Sequence, residues 1–76
     1  MGSLTVHVLN DDGNPVRGKR VFVSFGNTHS DDDTGSDGTV EFDDIPTGAV
    51  GVYVDGNLQV TVSVGQNGHE DVTVSL

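Results

Sequence analysis

The side chains able to do chemistry are few and unevenly spread. His7, His29 and His69 are the only imidazoles, Cys is absent, and ten of the twelve acidic residues are Asp. His69-Glu70-Asp71 sets an imidazole beside two carboxylates at a turn. A transition-metal site there would need ligands delivered by distant loops, so the three rings read as solvated groups on polar faces. Asp33-x-Gly35-x-Asp37-Gly38, followed by Glu41 and Asp44, has part of the pattern of a calcium loop. Gly35 stands where another carboxylate ligand would be, and no flanking helices are evident. Asp31, Asp33 and Asp37 are the candidates for a low-affinity calcium site, and no other cofactor is expected. Ser24, Ser30, Ser36, Ser63 and Ser75 could supply a nucleophile, but none sits in a G-x-S-x-G elbow. The pairs Asp11-Asp12 and Asp43-Asp44 could act on glycosides. The aromatic platform such chemistry uses would have to come from Phe22, Phe25, Phe42 and Tyr53 alone. No catalytic residue is assigned, and the chain is not expected to be an enzyme.

Binding chemistry is better represented. Phe22 and Tyr53 fall on the outward faces of their strands by alternation, and exposed aromatics often anchor interfaces. Arg17, Lys19 and Arg20 are all of the basic residues, and they lie within four positions. That patch could meet the acidic face of another copy and direct assembly. The alternative reading of each is plain: aromatics that cover a sheet face, and a solvated strand start.

Short strands must position these groups. Residues 4–9 alternate, with Leu4, Val6 and Val8 on one face and Thr5 and His7 on the other. Residues 10–15 are a dense turn signal, after which Val16 tucks inward. Residues 19–25 form a second strand with Val21, Val23 and Phe25 on one face. Residues 28–33 form a short edge strand, whose three adjacent carboxylates would block edge-to-edge pairing. Val40 and Phe42 point inward from residues 39–42, and Ile45 anchors the connector over 43–48. Residues 49–54 place Val50, Val52 and Val54 inward, and Asp55-Gly56 marks a tight hairpin. The strand over 58–64 directs Leu58, Val60, Val62 and Val64 inward, and that over 70–76 directs Val72, Val74 and Leu76. Nothing repeats at the helical period. The pattern predicts an all-β, seven-stranded (six to eight) Greek-key β-sandwich of the Ig-like or prealbumin-like kind. Residues 1–3 read as a tail or cloning remnant, and residues 4–76 as one domain.

Composition narrows the function classes. The chain has 76 residues and a formal net charge of −9. Such a surface repels phosphate backbones, so nucleic acid is not an expected partner. No apolar run reaches the ~20 residues of a membrane helix, and no signal peptide is evident. Val occurs fourteen times, a stiff residue suited to a small pleated core. Lys19 is the only lysine, and acid enrichment with lysine depletion resembles proteins adapted to high salt. Uncompensated charge destabilises a compact body unless salt screens it. The screening length falls from ~10 Å at 0.1 M to ~3 Å at 1 M.

Two further stretches carry a family resemblance. Gly13-Asn14-Pro15-Val16-x-Gly18-x-x-Val21 is followed by Thr34-x-x-Asp37-Gly38-x-Val40-x-Phe42-x-x-Ile45-Pro46-x-Gly48. The ordering resembles the carboxypeptidase regulatory-like domain, a transthyretin-like (prealbumin-like) β-sandwich, and the related Cna-protein B-type repeats of bacterial surface proteins. The resemblance spans nearly all of the chain and rests on turn and core residues. It implies an accessory module that spaces, stabilises or assembles. B-type repeats often carry an internal Lys–Asn or Lys–Asp isopeptide bond promoted by a buried Glu. By that resemblance the Lys position looks like His7 and the Glu position like Val54, and the last strand has no Asn. No isopeptide bond is expected.

The reading is a non-enzymatic structural module for protein–protein assembly or spacing, extracellular, on a cell surface or on a virion. Its alternative is a small carbohydrate- or peptide-binding module of a larger secreted protein. A third possibility is a calcium-dependent adhesion module.

Overall fold

The computed structural model describes residues 2–76. Seven strands run in chain order: β1 (Gly2–Leu9), β2 (Arg20–Phe25), β3 (Thr28–Asp33), β4 (Thr39–Ile45), β5 (Gly48–Val54), β6 (Asn57–Val64) and β7 (His69–Ser75). They form two sheets, one of order β4-β1-β7 and one of order β3-β2-β5-β6. All pairings are antiparallel except β1 with β7, which is parallel. This is the expected all-β sandwich.

Period-two alternation drives the two sheets together. Leu4, Val6 and Val8 from β1 meet Val21 and Val23 from β2 and Val50, Val52 and Val54 from β5 in one apolar cluster. Val40, Phe42, Ile45, Val64, Val72 and Val74 complete it. Val dominates because two pleated faces with one stiff rotamer per side chain lose little entropy on packing. Val16 and Phe25 pack against this cluster while only half-buried.

Turns follow from residues that tolerate positive φ. Asp55 (φ 53°) and Gly56 (φ 83°) are the two central residues of the β5–β6 hairpin, both left-handed as a type I′ turn requires. Gly26 (φ 64°) opens the two-residue turn between β2 and β3. Gly38 is required twice over, by φ 74° and because a Cβ there would lie 2.6 Å from Pro15 Cβ. That close approach locks the first long loop onto the turn leading into β4.

Several local expectations change. β1 begins at Gly2 rather than Leu4, since Gly2 pairs with Ile45 and Ser3 with His69. A Cβ on Gly2 would lie 2.5 Å from Val64 Cγ1, so only glycine lets the chain pass there. Met1 lies outside the described residues. β4 runs on to Ile45, which shortens the expected connector to Pro46 and Thr47. Leu58 was expected inside but is 57% exposed. The β5–β6 register shifts between Val52 and Tyr53: Val52 faces Val60, whereas Tyr53 faces Leu58. Gln59 is thus an extra residue, a bulge that turns Leu58 to the outer face with Tyr53. Leu76 was also expected inside and is 39% exposed, because it lies past the end of β7.

Thr34 is the one buried polar residue among those described. Its hydroxyl donates to the Val16 carbonyl at 2.6 Å and accepts from the Lys19 backbone N–H at 2.9 Å. The first long loop is thereby stitched to the end of β3, and among the described residues no buried side-chain polar atom is left unpartnered.

Candidate functional site: two outer sheet faces

Each sheet has an outer face, and the candidate residues divide between them. On the four-stranded sheet, the register sets Asp31, Phe22, Tyr53 and Leu58 side by side across β3, β2, β5 and β6. The Phe22 ring stacks on His29 with centroids 4.9 Å apart, and Tyr53 meets Phe22 edge-on at 5.6 Å. Tyr53 can lie flat because its neighbour is Gly51, where a Cβ would come within 3.3 Å of the Tyr53 ring. Phe22 and Tyr53 are half-buried. Both rings face outward and cover part of the sheet. An open apolar groove runs beside them, lined by Arg20, Phe22, Tyr53 and Gly56.

The basic residues do not form a free patch. Arg20 reaches across the hairpin to Asp31 (2.7 Å) and Asp33 (3.0 Å), and Lys19 reaches Asp55 at 2.5 Å. Arg17 stands exposed in a turn. The same pairs occupy two of the three calcium candidates. Asp31 and Asp33 lie on one face of β3 and are held by Arg20. Asp37 instead accepts from the Thr39 hydroxyl at 2.7 Å and the Thr39 backbone N–H at 3.2 Å. Those bonds, the hydroxyl one first, hold its carboxyl below the ordinary aspartate value. Asp37 is thus a turn residue, and the structure does not bring it together with Asp31 and Asp33. Among the described residues, no group of three or more His, Asp or Glu could hold a metal ion.

The outer face of the three-stranded sheet carries a network that sequence reasoning missed. Parallel pairing of β1 with β7 sets Ser3 opposite His69 and Thr5 opposite Asp71. Ser3 Oγ lies 2.6 Å from His69 Nδ1, and His69 Nε2 lies 3.3 Å from Asp71 Oδ1. His7 Nε2 approaches the same carboxylate oxygen at 3.7 Å from the other side, and Thr5 donates to Glu41 at 3.4 Å. The three histidines are therefore not simply solvated: His29 stacks on Phe22, while His7 and His69 flank Asp71. The order serine–imidazole–carboxylate is that of an acyl-transfer relay. Here it lies on an open strand surface, with the His69 and Asp71 side chains 44% and 65% exposed. An activated nucleophile needs a site that excludes water and aims donors at a developing oxyanion. This network supplies neither, and its chemistry is cross-strand hydrogen bonding.

The inner positions of β1, β7 and β5 bear on the isopeptide chemistry of the resemblance. They are Leu4, Val6, Val8, Val72, Val74, Val50, Val52 and Val54, all buried and apolar. His7, set at the Lys position by the resemblance, faces outward.

The fold and these faces define a small all-β, Ig-like sandwich of seven strands in two sheets. No family model matches the chain, and no curated protein does. Three solved structures are similar along 99% of it. One is the TIE protein of Bacillus anthracis, at a TM-score of 0.72 and 20% identity, of which the match covers 16%. Another is BcpA, the major pilin subunit of Bacillus cereus, at 0.79 and 12%, of which it covers 29%. The third is a 9R-lipoxygenase from Cyanothece PCC8801, at 0.56 and 15%, of which it covers 16%. The chain therefore corresponds to one domain-sized part of much longer proteins. At these identities the likeness is one of fold, and its presence in both a pilin and a lipoxygenase shows that the sandwich serves unlike hosts.

Proposed function

We propose that this chain is a non-catalytic β-sandwich module that makes protein–protein contacts in an assembly on a cell surface, pilus or virion. Within that reading its turn and core residues resemble those of the carboxypeptidase regulatory-like and transthyretin-like domains. One observation carries the proposal: the whole chain is spent on a valine core and its turns, with every ionisable side chain left on an outer face or loop. Likeness to a pilin domain and to part of a Bacillus anthracis protein supports it. Immunogold labelling of the organism that encodes the chain tests it. Label on surface structures or released particles is the expected result, and label confined to the cell interior overturns it.

A second reading rests on the groove beside Phe22 and Tyr53, which suits the apolar face of a sugar ring or a peptide side chain. A glycan-array signal abolished by Tyr53→Ala would establish it in place of assembly.

High-salt adaptation is part of the proposal. The three basic side chains leave the formal charge at −9. Salt that shortens the screening length to ~3 Å removes most of the remaining repulsion. The melting temperature should rise steeply from 0.1 to 2 M KCl, and a flat response removes this part of the reading.

A further inference from the structure

The four sheet edges are not equivalent. β3 carries Asp31, Asp32 and Asp33; β4 carries Glu41, Asp43 and Asp44; β7 carries Glu70 and Asp71. These charges blunt strand pairing with another chain. β6 reads NLQVTVSV and has no charged residue, yet it is the outermost strand of its sheet. It also overhangs. A four-stranded sheet faces a three-stranded one, so Val60 and Val62 point toward the core but stay only half-buried. The bulge at Gln59 ends the regular run on one side and the buried Val64 ends it on the other, leaving residues 60–62 as an unprotected, apolar-backed edge.

We infer that this edge is an interface with a second copy of the chain, formed by antiparallel β6–β6 pairing over residues 60–62. The inference specifies the partner and the surface of the assembly reading above and rests on it. Charge decides the occupant. A cationic partner would be drawn to the aspartates of β3 or β4, whereas strand pairing with a second copy bearing −9 meets least repulsion on an edge without carboxylates. β6 is that place. The strand is also complementary to itself. A two-fold axis through Thr61 sets Val60 of one copy opposite Val62 of the other on the inner face. On the outer face the same axis sets Thr61 opposite its own counterpart. Residues directly opposite in an antiparallel pair share a face, so this register keeps Val with Val and Thr with Thr. Two four-stranded sheets then join into one of eight strands with closed two-fold symmetry.

Sedimentation of the chain at rising concentration in 2 M KCl, with hydrogen exchange on the same samples, tests the pairing. A reversible dimer is expected, with amides in residues 60–62 slowing as concentration rises while those of β3 do not. Thr61→Asp sets two carboxylates face to face on the axis and should weaken dimerisation by more than about tenfold. Thr61→Ser should leave it intact. Ser63→Asp, also exposed on the outer face, serves if Thr61→Asp does not fold. A chain that stays monomeric at millimolar concentration overturns the inference, as does a dimer that survives both charged variants. So does concentration-dependent protection on β3 or beside Phe22. A monomer that still labels surface structures leaves the assembly reading standing and removes only the β6 interface.

Discussion

β1 and β6 are the same kind of sequence in different places. Each is eight residues long, each alternates apolar with polar, and each ends one residue before or at a turn. In β1 the alternation is fully realised: Leu4, Val6 and Val8 are all at 0% exposure. In β6 only Val64 is buried, Val60 and Val62 are half-covered, and Leu58 is turned outward. The difference is lateral position. β1 is the middle strand of its sheet, flanked by β4 and β7 and facing β2 and β5, whereas β6 has a neighbour on one side only. Alternation specifies which face of a strand turns inward. It does not specify how much of the opposing sheet lies beneath that face.

The largest expected effect breaks this comparison with one residue type. Leu4→Ala removes a fully buried side chain from the middle of the core and should cost about 2–5 kcal/mol. A 76-residue domain has a total stability of roughly 4–11 kcal/mol, so this single change brings the chain near unfolding. Leu58→Ala, at 57% exposure, should fall within about 0.5 kcal/mol of the parent. Urea denaturation read by far-ultraviolet circular dichroism separates the two. Equal losses would mean that β6 is as deeply embedded as β1.

A finer comparison keeps shape and changes polarity. Val6→Thr buries a hydroxyl in an apolar cluster with no acceptor nearby and should cost about 1–3 kcal/mol. Val62→Thr puts the same hydroxyl where water reaches it and should cost under about 0.5 kcal/mol. If Val62→Thr proved as costly in the monomer, the strand would close onto the core in solution.

The contrast between β1 and β6 also shows what a single sequence reveals. Strand existence, inward faces and the Asp55-Gly56 hairpin are local properties, carried by period two and by residues that accept positive φ. The fold class follows from them. The bulge at Gln59 does not, because nothing in NLQVT distinguishes a flat strand from one that gains a residue against its partner. Leu58 was misplaced for that reason. The outer-face network was missed for a related one. Ser3, Thr5 and His7 share a face, as do His69 and Asp71, and both facts are visible in the spacing. That the two faces adjoin depends on a parallel pairing between residues 66 positions apart, which no local signal encodes. The Arg20 pairs were within reach: a two-residue turn at Gly26-Asn27 sets Arg20 opposite Asp33 and two residues from Asp31. Reading that register forward would have shown the arginine spent on its own hairpin rather than free for a partner. Thr34 had no such signal, since a threonine in a polar turn is ordinarily solvated.

The smallest expected effect concerns charge, which the two strands also divide unequally. β6 has no titrating side chain, while β1 holds His7, and Asp37 lies close enough for the His7 ring to favour its ionised form. The Asp37 carboxyl is held below its ordinary value first by the Thr39 hydroxyl, then by the Thr39 backbone N–H, with His7 a lesser contributor. A carboxyl whose folded value lies below its unfolded one binds more protons unfolded than folded. It therefore adds stability above its unfolded value, near pH 4, and that stability fades as pH falls through the lower folded value. Asp37→Asn keeps an acceptor for Thr39 but cannot ionise. The parent should be slightly more stable than Asp37→Asn at pH 7, and the gap should close as pH falls below about 4. Urea midpoints of both proteins across that range check the sign. A gap that instead widened with acid would place the controlling titration elsewhere on the acidic face, while β6, having nothing to titrate, would remain the edge whose pairing responds to salt.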